Sequence, residues 1–219
     1  LTANLHLQDG VLSLSPLNFD LAGGNLSSNI TLDGSGKAGK NAIKATMKMT
    51  ARHLKLKQLF PTLQLLQGSA GEINGDASLS AVGDSIAGLL GASNGEIKTL
   101  INQGTVSKLL LEEMGLNIGN VILTRLAGDK QVKLNCMATD FGVTHGLMQA
   151  RSFIIDTDSA ILNVSGNINL AQEQLDLTIQ PNSKGLRVLS LRAPLYVRGS
   201  FKQPRVSVDK GVLAMRVGG

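Results

Sequence analysis

The sequence of 219 residues has no tryptophan, a single tyrosine and only five phenylalanines. That poverty removes the aromatic platforms on which sugars and single-stranded nucleic acids stack. Cysteine is reduced to Cys136, which excludes an internal disulfide and any zinc-finger spacing and leaves the redox compartment open. Charged residues make up 17%, few for a cytosolic enzyme, whereas an apolar share of 42% is too high for a disordered chain. No uncharged apolar run reaches the roughly 18 residues of a membrane helix. The chain is therefore expected to be soluble, or to rest on a membrane without crossing it. Because it begins at Leu1 rather than Met, it is expected to be a mature or excised segment with any anchor lying upstream.

What is present is enough for one core. A single domain, 1–219, of this length buries about 70% of its unfolded surface without disulfide or metal. The net charge of +5 would suit an anionic lipid or nucleic acid. Its basic residues are scattered, however, apart from small clusters at Arg52–Lys57 and Arg198–Arg205, so no nucleic-acid partner is expected.

Period two dominates 1–52. Leu5 and Leu7 lead to the hairpin turn Asp9-Gly10, and Leu12 and Leu14 continue beyond it. After Pro16 the alternation resumes out of phase as Leu17, Phe19 and Leu21, which predicts a bulge or an edge position. Leu26, Ile30 and Leu32 mark a further strand, and Ile43, Ala45, Met47 and Met49 another. Region 53–119 changes period and predicts short helices and strands. Leu56, Leu59, Phe60, Leu63 and Leu66 fit a helical face, Leu79–Val82 a short strand, and Ser85–Leu90 a brief helix with Asp84 as its cap. Asn94-Gly95 reads as a turn into Glu96–Lys98, and Val106–Met114 as a third helix stopped by Gly115. Region 120–219 returns to hairpins. Leu162, Val164 and Ile168 share one parity around Gly166, where a bend or a close backbone approach is expected. Leu175, Leu177 and Ile179 follow. The predicted class is α+β: an elongated, twisted, mostly antiparallel sheet of hairpins with a few short helices and an apolar concave face.

Catalytic chemistry finds no support. Gly34–Lys40 has the G-x-x-x-x-G-K spacing of a phosphate-binding loop, but Asn41 replaces the magnesium-binding hydroxyl. The period-two stretch that follows is also not the helix such a loop requires. His6, His53 and His145 lie in separate segments without metal-ligand spacing. Glu112 and Glu113 diverge from a predicted helix, and Asp156 and Asp158 fall in a predicted turn. No catalytic residue, metal site or cofactor is expected. The oddity is different: a two-faced sheet whose apolar face has only short helices to cover it. Curvature of the sheet, a partner, an apolar ligand or a sandwich arrangement would each supply cover.

Four ordered segments carry a resemblance. They are Gly10-Val11-Leu12-Ser13-Leu14-Ser15-Pro16-Leu17 with Leu21-Ala22-Gly23-Gly24, and Gly83-Asp84-Ser85-Ile86-Ala87-Gly88-Leu89-Leu90-Gly91 with Asn94-Gly95-Glu96-Ile97. Then come Ser165-Gly166-Asn167-Ile168-Asn169-Leu170 with Leu175-Asp176-Leu177 and Pro181, and Pro194-Leu195-Tyr196-Val197-Arg198-Gly199-Ser200-Phe201 with Pro204. Together they resemble the C-terminal periplasmic region of the AsmA-like family of bacterial envelope proteins and, more distantly, TamB-like bridge proteins. The resemblance implies a non-enzymatic parent in the periplasm, tethered to the inner membrane by an upstream helix. It also implies an apolar groove for phospholipid or another acyl-chain lipid, in phospholipid transport or outer-membrane assembly. The expected lipid-binding residues are Leu12, Leu14, Phe19, Leu26, Ile30, Met47, Met49, Leu162, Val164, Leu175, Leu177 and Ile179. A structural scaffold that pairs with envelope proteins through open sheet edges is the alternative.

Overall fold

A computed structural model describes residues 2–39, 42–55, 58, 71–106, 132–184 and 193–208. Their strands are β1 (Thr2–Gln8), β2 (Val11–Leu21), β3 (Gly24–Asp33), β4 (Ile43–Lys55), β5 (Glu72–Gly83) and β6 (Asn94–Val106). The order continues with β7 (Val132–Thr144), β8 (Leu147–Thr157), β9 (Ala160–Asn169), β10 (Gln174–Ser183), β11 (Leu195–Ser200) and β12 (Gln203–Val208). All join one 12-stranded sheet in sequence order, β1 to β12, every pair antiparallel. The only helix among the described residues is the six-residue α1 (Ile86–Gly91). The class is therefore all-β, and the α+β expectation is corrected.

The reason lies in strand length. Leu79–Val82 is the end of a 12-residue strand, and Glu96–Lys98 lies inside one of 13 residues. Gly75 and Ala77 in β5 and Thr99 in β6 occupy apolar-side positions, which lowers the contrast on which alternation is read. Asn94-Gly95 is no turn but the start of β6, with Gly95 paired to Leu79. The predicted helix is present as α1, but its N-cap is Ser85, which accepts from the Gly88 amide at 3.1 Å, and not Asp84. The helix predicted around Leu56–Leu66 lies outside the described residues except for Gln58, as does Val106–Met114 except for Val106, the last residue of β6. Glu112, Glu113 and Gly115 lie outside them too. Gly34–Gly39 is a loop joining β3 to β4, and the chain re-enters the sheet at Ile43.

Bulges keep the apolar residues on one side. Between Leu14 and Leu17 the β2–β3 register shifts around the cis Ser15–Pro16 bond, so that even-numbered Leu12 and Leu14 share a face with odd-numbered Leu17 and Phe19. In β4 a shift between Ala51 and Leu54, with His53 at φ 56°, returns Leu54 to the face of Ala51. The backbone N–H of His53 donates to Asn74 Oδ1 at 3.0 Å. A third shift in β8 puts Ala150 on the side of Phe153. Gly166 has φ +119° in the middle of β9, where a Cβ would overlap the Asp176 carbonyl oxygen and lie 3.0 Å from Leu177 Cα. The close backbone approach expected there is present.

Candidate functional site

Following cross-strand partners from β1 to β12 separates two faces. One carries Leu5, Leu7, Leu12, Leu14, Phe19, Leu26 and Ile30 on the first three strands. Met47 and Met49 face Leu79 and Ala77, and Ile97 faces Phe141, which extends the same surface across β4 to β7. Val164, Ile179 and Leu195 then share one cross-strand row. All twelve residues expected to contact lipid therefore project from a single face.

Burial grades across this face. Leu5 and Leu7 on β1 are 66% and 67% exposed, whereas Val143, Leu162, Val164, Ile179, Leu195 and Val197 are buried. Phe141 and Phe153 meet edge to face at 5.7 Å between ring centroids. Of the twelve, Leu162, Val164 and Ile179 are core positions; the other nine are half-buried. Leu5, Leu7, Leu79 and Ile97 belong to the same surface but were not among the twelve. The first two carried a plain alternation signal, and the last two were hidden beside Ser80 and Gly95.

The opposite face is mostly polar, though Leu100, Ala138 and Ile154 form an apolar row across it, and it is held by exposed ion pairs. Arg52 binds Asp76 at 2.9 Å, Arg151 reaches Glu96 at 3.3 Å and Asp140 at 3.7 Å, and Arg198 binds Asp176 at 2.9 Å. The Arg52 guanidinium, and then the Thr50 hydroxyl, hold the Asp76 carboxyl below the ordinary carboxylate value. Lys184 does the same for Asp156, assisted by Asn135, and the Ser35 hydroxyl and N–H do so for Asp33. Pairs of this exposure organise a surface and contribute little net stability, about 0–1 kcal/mol each.

Helix α1 lies at the sheet end that holds the turns 9–10, 145–146 and 170–173. Ser93 carbonyl accepts from Gly146 N–H at 2.9 Å, and Gly146 carbonyl accepts from Leu170 N–H at 2.8 Å. Beneath the helix is an apolar hollow of about 150 Å³ walled by Met47, Leu79, Ile86, Leu89 and Leu90. Among the described residues no group of three or more His, Cys, Asp or Glu side chains could hold a metal. His6 meets Gln8 at 3.1 Å and His53 meets Glu72 at 3.1 Å. Cys136 is a free, half-buried thiol on β7. No helix among the described residues is long and apolar enough to cross a membrane.

The AsmA family model matches residues 1–153. A relative from Escherichia coli (strain K12), "AsmA family protein YhjG", is 45% identical over 216 residues, 99% of this chain. The chain spans 31% of that relative's length. No solved structure matches. A family model covering well over half the chain, in agreement with a long pairwise match, settles the affiliation: this chain belongs to the AsmA family.

Proposed function

We propose that this chain is a non-enzymatic lipid-binding module whose apolar sheet face receives acyl chains, within a periplasmic, membrane-tethered parent that takes part in phospholipid transport or outer-membrane assembly. The observation that carries the reading is the continuous apolar face: nine of the twelve expected residues are half-buried there rather than packed into a core. Family membership supports an envelope setting. At about 4.8 Å per strand, the described sheet spans roughly 50–55 Å across its strands, and an acyl chain gains about 0.8 kcal/mol per buried methylene. A chain laid on a half-open face realises only part of that sum, which suits a lipid that must later leave.

Photo-crosslinking residues placed singly at Met49 and Lys48 test this directly, because neighbouring strand positions face opposite sides. Lipid is expected to crosslink from position 49 and not from 48. Equal labelling from both positions, or from neither, contradicts the reading. Ile179 is unsuitable for a polar substitution, since it is buried at 7% exposure and its loss would report on folding.

A second reading, a scaffold that pairs through sheet edges, draws on β1. That edge strand carries no Lys, Arg, Asp, Glu or Pro, and every residue in it is exposed. It predicts association without lipid, abolished by Leu5→Lys and visible by light scattering.

A further inference from the structure

We propose that the sheet end carrying α1 is a bilayer-docking rim: Ile86, Leu90 and Phe201 enter the interfacial layer of a zwitterionic membrane, with the strand ends facing it. The inference goes beyond the lipid-binding reading above and does not depend on it.

Large apolar side chains in water are ordinary on the strands of an open sheet and unusual in its connections. Among the described residues, three of the exposed ones lie between strands: Ile86 at 79%, Leu90 at 45% and Phe201 at 40%. All three belong to the same end. The connections described at the other end, Ala22-Gly23 and Asp158-Ser159, hold no large apolar side chain. Helix α1, with the sequence Ile-Ala-Gly-Leu-Leu-Gly, has no charged residue and no buried one. Ile86 and Leu90 are four apart and so share one side of the helix. Both also wall the hollow beneath it, which therefore opens at this rim and leads to Met47 and Leu79 on the apolar face.

The rim is continuous. A Cβ added to Gly91 would lie 3.1 Å from that of Ala171, so the C-terminal end of α1 touches the turn between β9 and β10. In that turn the Glu173 carbonyl accepts from Phe201 N–H at 2.9 Å. Helix and phenylalanine are thus held on one edge by backbone contacts. Charge complementarity selects the occupant. Lys37, Lys44 and Lys202, all exposed, stand against Asp9, Asp84 and Glu173, also exposed. Asp33 beside them is taken up by Ser35, accepting from its N–H at 3.0 Å and its hydroxyl at 2.6 Å. A rim so nearly balanced gives a strongly charged partner little field to follow. A zwitterionic headgroup layer offers both signs to both, and the lysine stems can lie along it. An uncharged helix buries its apolar side chains at the acyl boundary just below.

Flotation of the whole chain with vesicles tests this, using phosphatidylcholine alone and phosphatidylcholine with phosphatidylglycerol, each at low and high salt. Wild type is expected to float with both and to depend little on salt. Ile86→Asn and Phe201→Ser are each expected to weaken vesicle binding about tenfold, the scale of one large apolar side chain partly withdrawn from water. Leu21→Asn, exposed at the opposite end, is expected to leave it unchanged. An unchanged urea midpoint checks that each variant remains folded. Because the chain has no tryptophan, Ile86→Trp and Leu21→Trp are single reporters: emission should shift to the blue on vesicles from position 86 and not from position 21. Equal effects at the two positions overturn the rim, as does flotation that requires phosphatidylglycerol and fades at high salt. A wild type that floats with neither vesicle overturns it too, while phospholipid found in that same chain by native mass spectrometry leaves the lipid-binding reading standing. Self-association abolished by Ile86→Asn, without vesicle binding, would make the occupant a second copy and overturn the bilayer.

Discussion

A glycine-to-alanine series tests the tight apposition of β9 and β10. Gly34 lies outside the positive-φ region, and its added Cβ would meet nothing nearer than Gly10 carbonyl oxygen at 3.6 Å. Gly36 has φ +86° with no atom within 4 Å, and Gly166 has φ +119° with the Asp176–Leu177 backbone in the way. Gly34→Ala should then be neutral or stabilising by about 0.5 kcal/mol, through the lower entropy of the unfolded chain. Gly36→Ala carries the conformational cost alone, about 1 kcal/mol net. Gly166→Ala adds backbone displacement and the weakening of one or two ladder hydrogen bonds at about 0.5–1.5 kcal/mol each. Its total of roughly 1.5–4 kcal/mol corresponds to a Tm lower by about 3–16 °C for a chain of this size. Urea unfolding at constant m-value measures all three. The reasoning is refuted if Gly166→Ala costs no more than Gly36→Ala, for then β9 and β10 do not meet as described.

Leu195, 1% exposed, should cost about 2–5 kcal/mol when cut to alanine, measured as the shift in urea midpoint. Leu7→Ala at 67% exposure should stay within about 0.5 kcal/mol. Asp33, Asp76 and Asp156 are each held below the ordinary carboxylate value. Their stabilisation is present above the unfolded-state value and is lost as pH falls through the folded-state values. Their contribution should thus be flat above about pH 5 and decline towards pH 2, with Asp76→Asn flattening part of that acid limb in pH-dependent unfolding. Arg52→Gln should cost no more than about 1 kcal/mol and less at high salt.

Much of this architecture could be read from residues because its signal is local. The phase change at Pro16, the close backbone approach at Gly166, the turn at Asp9-Gly10 and the brief helix ending near Leu90 each come from a constraint carried by one or two residues. The all-β class was less legible. In β5 and β6 the apolar side holds Gly75, Ala77, Gly95 and Thr99, so two long strands looked like fragments separated by turns. Face membership was the harder matter. Parity shows which residues share a side within one strand, but the side taken by the next strand depends on turn length and bulges. The bulge around His53 reverses parity with no signal such as Pro16, so the common face of Ala51 and Leu54 emerges only from the register. Burial was not legible either. Leu12 and Leu162 have the same local pattern, yet Leu162 is buried and Leu12 half-exposed, because depth depends on what lies around the whole sheet.

The most direct measurement is the lipid content of the chain purified without detergent, read by native mass spectrometry with organic extraction and a soluble control protein from the same batch. Wild type and Lys48→Gln are expected to carry phospholipid at near-stoichiometric occupancy, and folded Met49→Asn distinctly less. A folded wild type that is empty, or equal lipid in all three, contradicts the claim that this face holds acyl chains.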